Sequence, residues 1–119
     1  MWIFTPVGFF SIVQKPFEKH GILTVRSRNR SDLVALKSRM PDGTTSAIVD
    51  DVDADYQYRL TAKNSVLSAA MSELVFEIDY ENFKAEVDQN DPERAKIYAE
   101  IWTVLWAALA QNKIDGPED

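Results

Sequence analysis

The sequence predicts an α+β domain: a four-stranded antiparallel sheet with two helices in ββαββα order, followed by a C-terminal pair of helices. Three observations carry that expectation. Short segments of alternating hydrophobicity are bounded by Pro and Gly, as half-buried strands are. Two segments with apolar residues at helical spacing each follow a pair of such strands, so each can cover one face of a sheet. The last long segment, from Pro92 to Gln111, is apolar around most of its girth.

The elements follow in order. Met1 to Gln14 is apolar, but it lacks a basic start and a small-residue cleavage site and contains Pro6 and Gly8, so it reads as part of the fold rather than as a leader. Phe9 to Gln14 is the first strand and Ile22 to Arg28 the second, joined through the Pro16 to Gly21 turn region. Asn29 or Ser31 can cap a helix through Met40, with Leu33, Leu36 and Met40 on one face, and Pro41, Asp42 and Gly43 end it. A third strand falls around Ser46 to Val49 and a fourth at Tyr56 to Ala62. Asn64 or Ser65 caps a second helix to about Ile78, with Val66, Leu67, Ala70, Leu74 and Ile78 turned inward. A short helix spans Tyr80 to Val87. Asp91 and Pro92 then write a helix start, because the Asp side chain accepts from free first-turn amides and Pro tolerates the first helical position. The order of elements suggests a ferredoxin-like sandwich or a circular permutation of one.

A chain of 119 residues, 45% hydrophobic, can bury one core. The expected organisation is a single domain over residues 1–113 and a polar tail over 114–119. No cysteine is present, which removes disulfides, thiolate metal sites and cysteine nucleophiles and leans toward the cytoplasm. No stretch approaches the roughly 18 uncharged apolar residues of a membrane span, since the final segment is interrupted by Lys96 and Glu100. A net charge of -6 opposes general binding to nucleic acid or anionic membrane. The charge is unevenly spread: Arg26 to Arg39 carries five basic residues against Asp32 alone, and Asp42 to Asp55 carries five aspartates and no base. These two runs are expected to compensate each other across a hairpin or loop.

Alternation sorts the strand side chains between faces. With Leu23, Val25, Tyr56, Tyr58 and Leu60 inward, Arg26, Arg28 and Arg59 share the opposite face, where paired guanidinium donors can grip a carboxylate or phosphate. The competing reading is cross-strand pairing of these arginines with Asp or Glu, which stabilises a sheet without any ligand. Ile78 to Lys84 is dense in groups that catalytic sites use: Asp79 as a base, Tyr80 as a hydroxyl donor, Asn82 and Lys84 to orient an anion. Against this, Asp79 can be a helix cap, and Tyr80 and Phe83, three apart, can be packing residues. Asp51, Asp53 and Asp55 imitate the start of a calcium loop, but Tyr56 stands where that loop needs Gly and Ala62 where it needs Glu, so no metal is expected. His20 reads as a turn residue. No phosphate-binding Gly loop, dinucleotide fingerprint or metal-ligand spacing occurs, and no cofactor is expected. Tyr98, Trp102 and Trp106, at spacing four, form an aromatic ladder that serves either a core or an interface.

Met1, Trp2, Phe4 and Thr5 with Gly8, Phe9, Phe10 and Ser11, then Asp55, Tyr56, Tyr58 and Arg59, then Ile78, Asp79, Tyr80, Asn82, Phe83 and Lys84, with Arg94, Tyr98 and Trp102, make the chain similar to a group of small uncharacterised bacterial proteins. The resemblance covers nearly the whole chain. It implies a bacterial or phage origin and an intracellular setting, and it carries no activity.

The sequence therefore points to a small cytoplasmic module that binds, a protein partner or a small anionic ligand, and that forms a homodimer through Tyr98, Trp102 and Trp106. The alternative is an anion sensor or an enzyme whose pocket draws on Arg59, Asp79, Tyr80, Asn82 and Lys84. Local spacing assembles no nucleophile and base, so catalysis is not expected. Single-stranded nucleic acid on an open sheet face comes last.

Overall fold

The computed structural model describes residues 1–111, and the tail expected at 114–119 lies outside the described residues. By its internal contacts the chain divides into two compact units, Met1–Ile78 and Asp79–Asp119.

The first unit holds the sheet. Its strands are β1 (Trp2–Thr5), β2 (Gly8–Val13), β3 (Ile22–Ser27), β4 (Val49–Asp50) and β5 (Tyr58–Lys63), with α1 (Arg30–Lys37) after β3 and α2 (Asn64–Phe76) after β5. The strands lie in the order β1-β2-β3-β5-β4, and every pair is antiparallel. The class is α+β as expected, but the sheet has five strands, not four, and the order is βββαββα, not ββαββα.

The additional strand is β1. Pro6 and the apolar run around it hide a hairpin whose two-residue loop, Pro6 and Val7, is held by one side chain. The Thr5 hydroxyl donates to the Gly8 carbonyl (2.9 Å) and accepts from the amides of Val7 (3.2 Å) and Gly8 (3.1 Å). A buried threonine thus does what Asn-Gly does in commoner hairpins. The strand expected around Ser46 to Val49 is reduced to the two residues of β4 and a single bridge from Thr45 to Ala62, because Ser46 spends its backbone and hydroxyl on Thr61 instead of on a regular ladder.

Alternation places Phe10, Ile12, Val25, Leu60 and Ala62 against Leu33, Leu36, Met40, Leu67 and Ala70, and these residues form the core. Helix α1 starts where expected, since Asn29 accepts from the Ser31 amide. Helix α2 has no side-chain cap, and it ends at Phe76, which leaves Ile78 beyond the helix and 53% exposed rather than inward. Tyr56 also departs from expectation. It precedes β5 and is buried, but it lies outside the core cluster.

The second unit consists of α3 (Phe83–Asn90) and α4 (Pro92–Gln111), which pack on each other around buried Val87 and Tyr98. Asp91 alone separates them, ending α3 and starting α4. Its carboxylate accepts from the Arg94 amide (3.1 Å) and pairs with the Arg94 guanidinium (3.3 Å). Among the described residues no helix is long and apolar enough to cross a membrane.

Candidate functional site

Antiparallel register puts Arg26 of β3 directly opposite Arg59 of β5, with Ser11 of β2 on its other side and Val49 of β4 beyond Arg59. The Arg26 Nη2 donates to the Ser11 hydroxyl at 2.7 Å, and the Arg59 Nη2 donates to the Tyr56 carbonyl at 3.2 Å. Arg28, just past the end of β3, donates through Nε to the Asp55 carbonyl at 3.2 Å. The Tyr56 ring gathers two of them: the guanidinium carbons of Arg26 and Arg28 each lie 4.7 Å from its centroid. This is why Tyr56 is buried away from the core, since it supplies the flat surface on which the arginines rest.

Among the described residues no ion pair joins the basic run to the aspartate run, contrary to the expected compensation. Arg39 pairs with Glu77, Arg94 with Asp91 and Lys96 with Glu93, and among the described residues no ion pair involves Arg26, Arg28 or Arg59. Instead the aspartate side chains shape their own bend. Asp50 accepts from Gln57, Asp51 from the Asp53 amide and Asp55 from the Tyr56 amide.

The second expected group falls in the other unit, so Arg59 belongs to the first unit and Asp79, Tyr80, Asn82 and Lys84 to the second. Asn82, not Asp79, caps α3, accepting from the Ala85 amide at 2.9 Å. Asp79 is exposed and Tyr80 half-buried, both before the helix begins. The Lys84 ammonium lies 4.2 Å from the centre of the Trp102 ring. Asn82 and Lys84 therefore have structural work within their own unit.

The aromatic ladder of α4 splits. Tyr98 is buried and stacked on Phe83, with ring centroids 5.8 Å apart, so it belongs to the packing between α3 and α4. Trp102 and Trp106 stack on each other at 6.3 Å and remain 49% and 55% exposed. With Leu105, Leu109 and Ala110 they line a shallow apolar groove of about 390 Å³. No charged residue occurs from Ile101 to Ala110.

No family model, curated protein or solved structure matches the chain.

One further aromatic cluster escaped the sequence reading. Phe9 stacks on Phe4 at 4.5 Å and meets Trp2 edge-on at 5.8 Å, on the same sheet face as Ser11 and Arg26. The signal for it was present in the alternation of Trp2, Phe4, Phe9 and Ser11, but only once the hairpin at Pro6 is recognised.

Proposed function

We propose that this protein is a small binding module that works as a homodimer, with a second copy of α4 covering the exposed face of the first. The observation that carries this is the half-exposed Trp102–Trp106 pair on a ten-residue stretch free of charge. Helix α3 has 8 residues and α4 has 20, so within the unit α3 can accompany less than half of α4. At half exposure each indole presents on the order of 100 Å². With Val104, Leu105 and Leu109 the open apolar area is on the order of 500 Å² per copy, so a symmetric pairing would bury about 1,000 Å², at the lower end of specific interfaces.

A second copy suits this surface better than a charged or polar partner. The 101–110 segment offers no charge to pair with one, whereas an identical apolar helix is complementary to itself. The absence of cysteine supports a cytoplasmic setting for the assembly.

Light scattering over a range of concentrations tests the reading. A mass of two chains that falls to one in Trp102→Ala, with the circular dichroism spectrum retained, is expected. A single chain at every concentration overturns it.

A further inference from the structure

We propose that Arg26 and Arg59, flanked by Arg28, form a binding site for an oxyanion, the phosphoryl or carboxylate group of a small ligand. The inference is independent of pairing through α4.

Like charges directly opposite on one sheet face destabilise it, and sheets normally place a carboxylate beside such a residue. Here the neighbours are Ser11, Arg59 and Val49 for one arginine or the other, and no ion pair among the described residues reaches any of the three. The nearest acidic run has turned its carboxylates of Asp50, Asp51 and Asp55 to Gln57 and to backbone amides.

A guanidinium has five N–H groups in a fixed fork. Arg26 spends one on Ser11 and Arg59 one on Tyr56, while Nε of both is buried without a partner. An unsatisfied donor on a buried charged group is costly. An oxyanion reaching the Nη ends would supply the missing negative charge and acceptors for the unspent Nη donors, although not for the buried Nε groups.

The Tyr56 ring holds the Arg26 and Arg28 guanidinium groups at equal 4.7 Å distances, and the Ser11 hydroxyl fixes the far side of Arg26. The cations are therefore positioned before a ligand arrives, and less ordering entropy is lost on binding.

Thermal unfolding with inorganic phosphate, acetate or chloride at matched ionic strength tests this. Phosphate, acetate or both should raise the midpoint by about 5 °C more than chloride at tenfold the dissociation constant. A gain with phosphate alone assigns a phosphoryl ligand, and a gain with acetate as well extends the site to carboxylates. Arg59→Gln should abolish the gain while leaving the unliganded midpoint unchanged or higher, because the like-charge contact is gone. Lys63→Gln, at an exposed position on the same strand, should keep the gain. Should Arg59→Gln not fold, Arg28→Gln at an exposed side chain replaces it, with a reduced gain expected. Equal shifts in all three salts, or a full gain in the folded arginine variant, overturn the proposal.

Discussion

Gly8 stands so close to Asp32 that a Cβ on the glycine would lie 2.6 Å from the Asp32 Cβ and 2.7 Å from its Cγ. The contact joins β2 to the first turn of α1, where buried Asp32 accepts from the Phe9 amide at 3.2 Å. A carboxylate in the first helical turn also suits the helix dipole. The Asp32 Cβ is anchored to its backbone, so nothing flexible can yield to an added methyl.

Gly8→Ala is accordingly expected to destabilise the first unit by about 1–3 kcal/mol, the usual cost of overpacking a filled site. Urea unfolding of the variant gives the value directly. An unchanged midpoint would show that helix and strand can part at no cost.

Arg39 and Glu77 make a two-pronged ion pair, with Nη2 to Oε1 at 2.7 Å and Nε to Oε2 at 3.0 Å, between the segment after α1 and the end of α2. The hydrogen bond from Arg39 holds the Glu77 carboxyl below its ordinary value, and the same bond raises Arg39. A depressed carboxyl pKa stabilises the fold above the unfolded value and loses that contribution as pH falls through the folded value. With the Glu77 side chain 43% exposed, solvent screening limits the contribution to at most about 1 kcal/mol. The stability difference between the protein and Glu77→Gln should therefore be present at pH 7, vanish on acidification and shrink in high salt. A difference that is constant from pH 7 down to pH 3 would remove the pair as its cause.

Asn82 begins α3 by accepting from the Ala85 amide. Replacing it with Ala removes that acceptor and should cost about 1 kcal/mol, whereas Asp should preserve the cap. Hydrogen exchange offers the sharper test: the Ala85 amide should lose protection in Asn82→Ala and keep it in Asn82→Asp. Equal exchange in the two variants would mean that packing, not the cap, fixes the helix start.

Local patterns were legible where one residue or one period decides the outcome. Asn29 and Asp91 cap their helices as read, Leu33, Leu36 and Met40 are buried at their expected spacing, and alternation assigned Arg26 and Arg59 to one sheet face. What remained hidden turned on which of several available partners a common polar or aromatic side chain takes. The Pro6 hairpin is held by the Thr5 hydroxyl, which composition does not single out from any other threonine. Tyr56 looked like a core residue because it continues the alternation of Tyr58 and Leu60, yet the strand begins only at Tyr58, and the ring turns to the arginines. Sign and proximity in sequence match the two charge runs, but the carboxylates of Asp51 and Asp55 accept from neighbouring backbone amides instead.

The exposed half of α4 yields a spectroscopic prediction that does not depend on mass. The protein has three tryptophans, and Trp2 is 69% exposed while Trp102 and Trp106 sit half in water on one groove. If a second α4 covers that groove, raising the concentration should move the fluorescence maximum to shorter wavelength as the two indoles leave water, with Trp2 contributing a constant background. Trp106→Lys places a charge in the middle of the uncharged stretch, where burial against another copy would leave it unpaired at a cost of several kcal/mol. That variant should fold, since Trp106 lies outside the packing around Val87 and Tyr98, and its spectrum should be independent of concentration. A concentration-dependent blue shift that survives Trp106→Lys would place the association elsewhere on the molecule. The exposed Val75 and Phe76 at the end of α2 would then be the next surface to test.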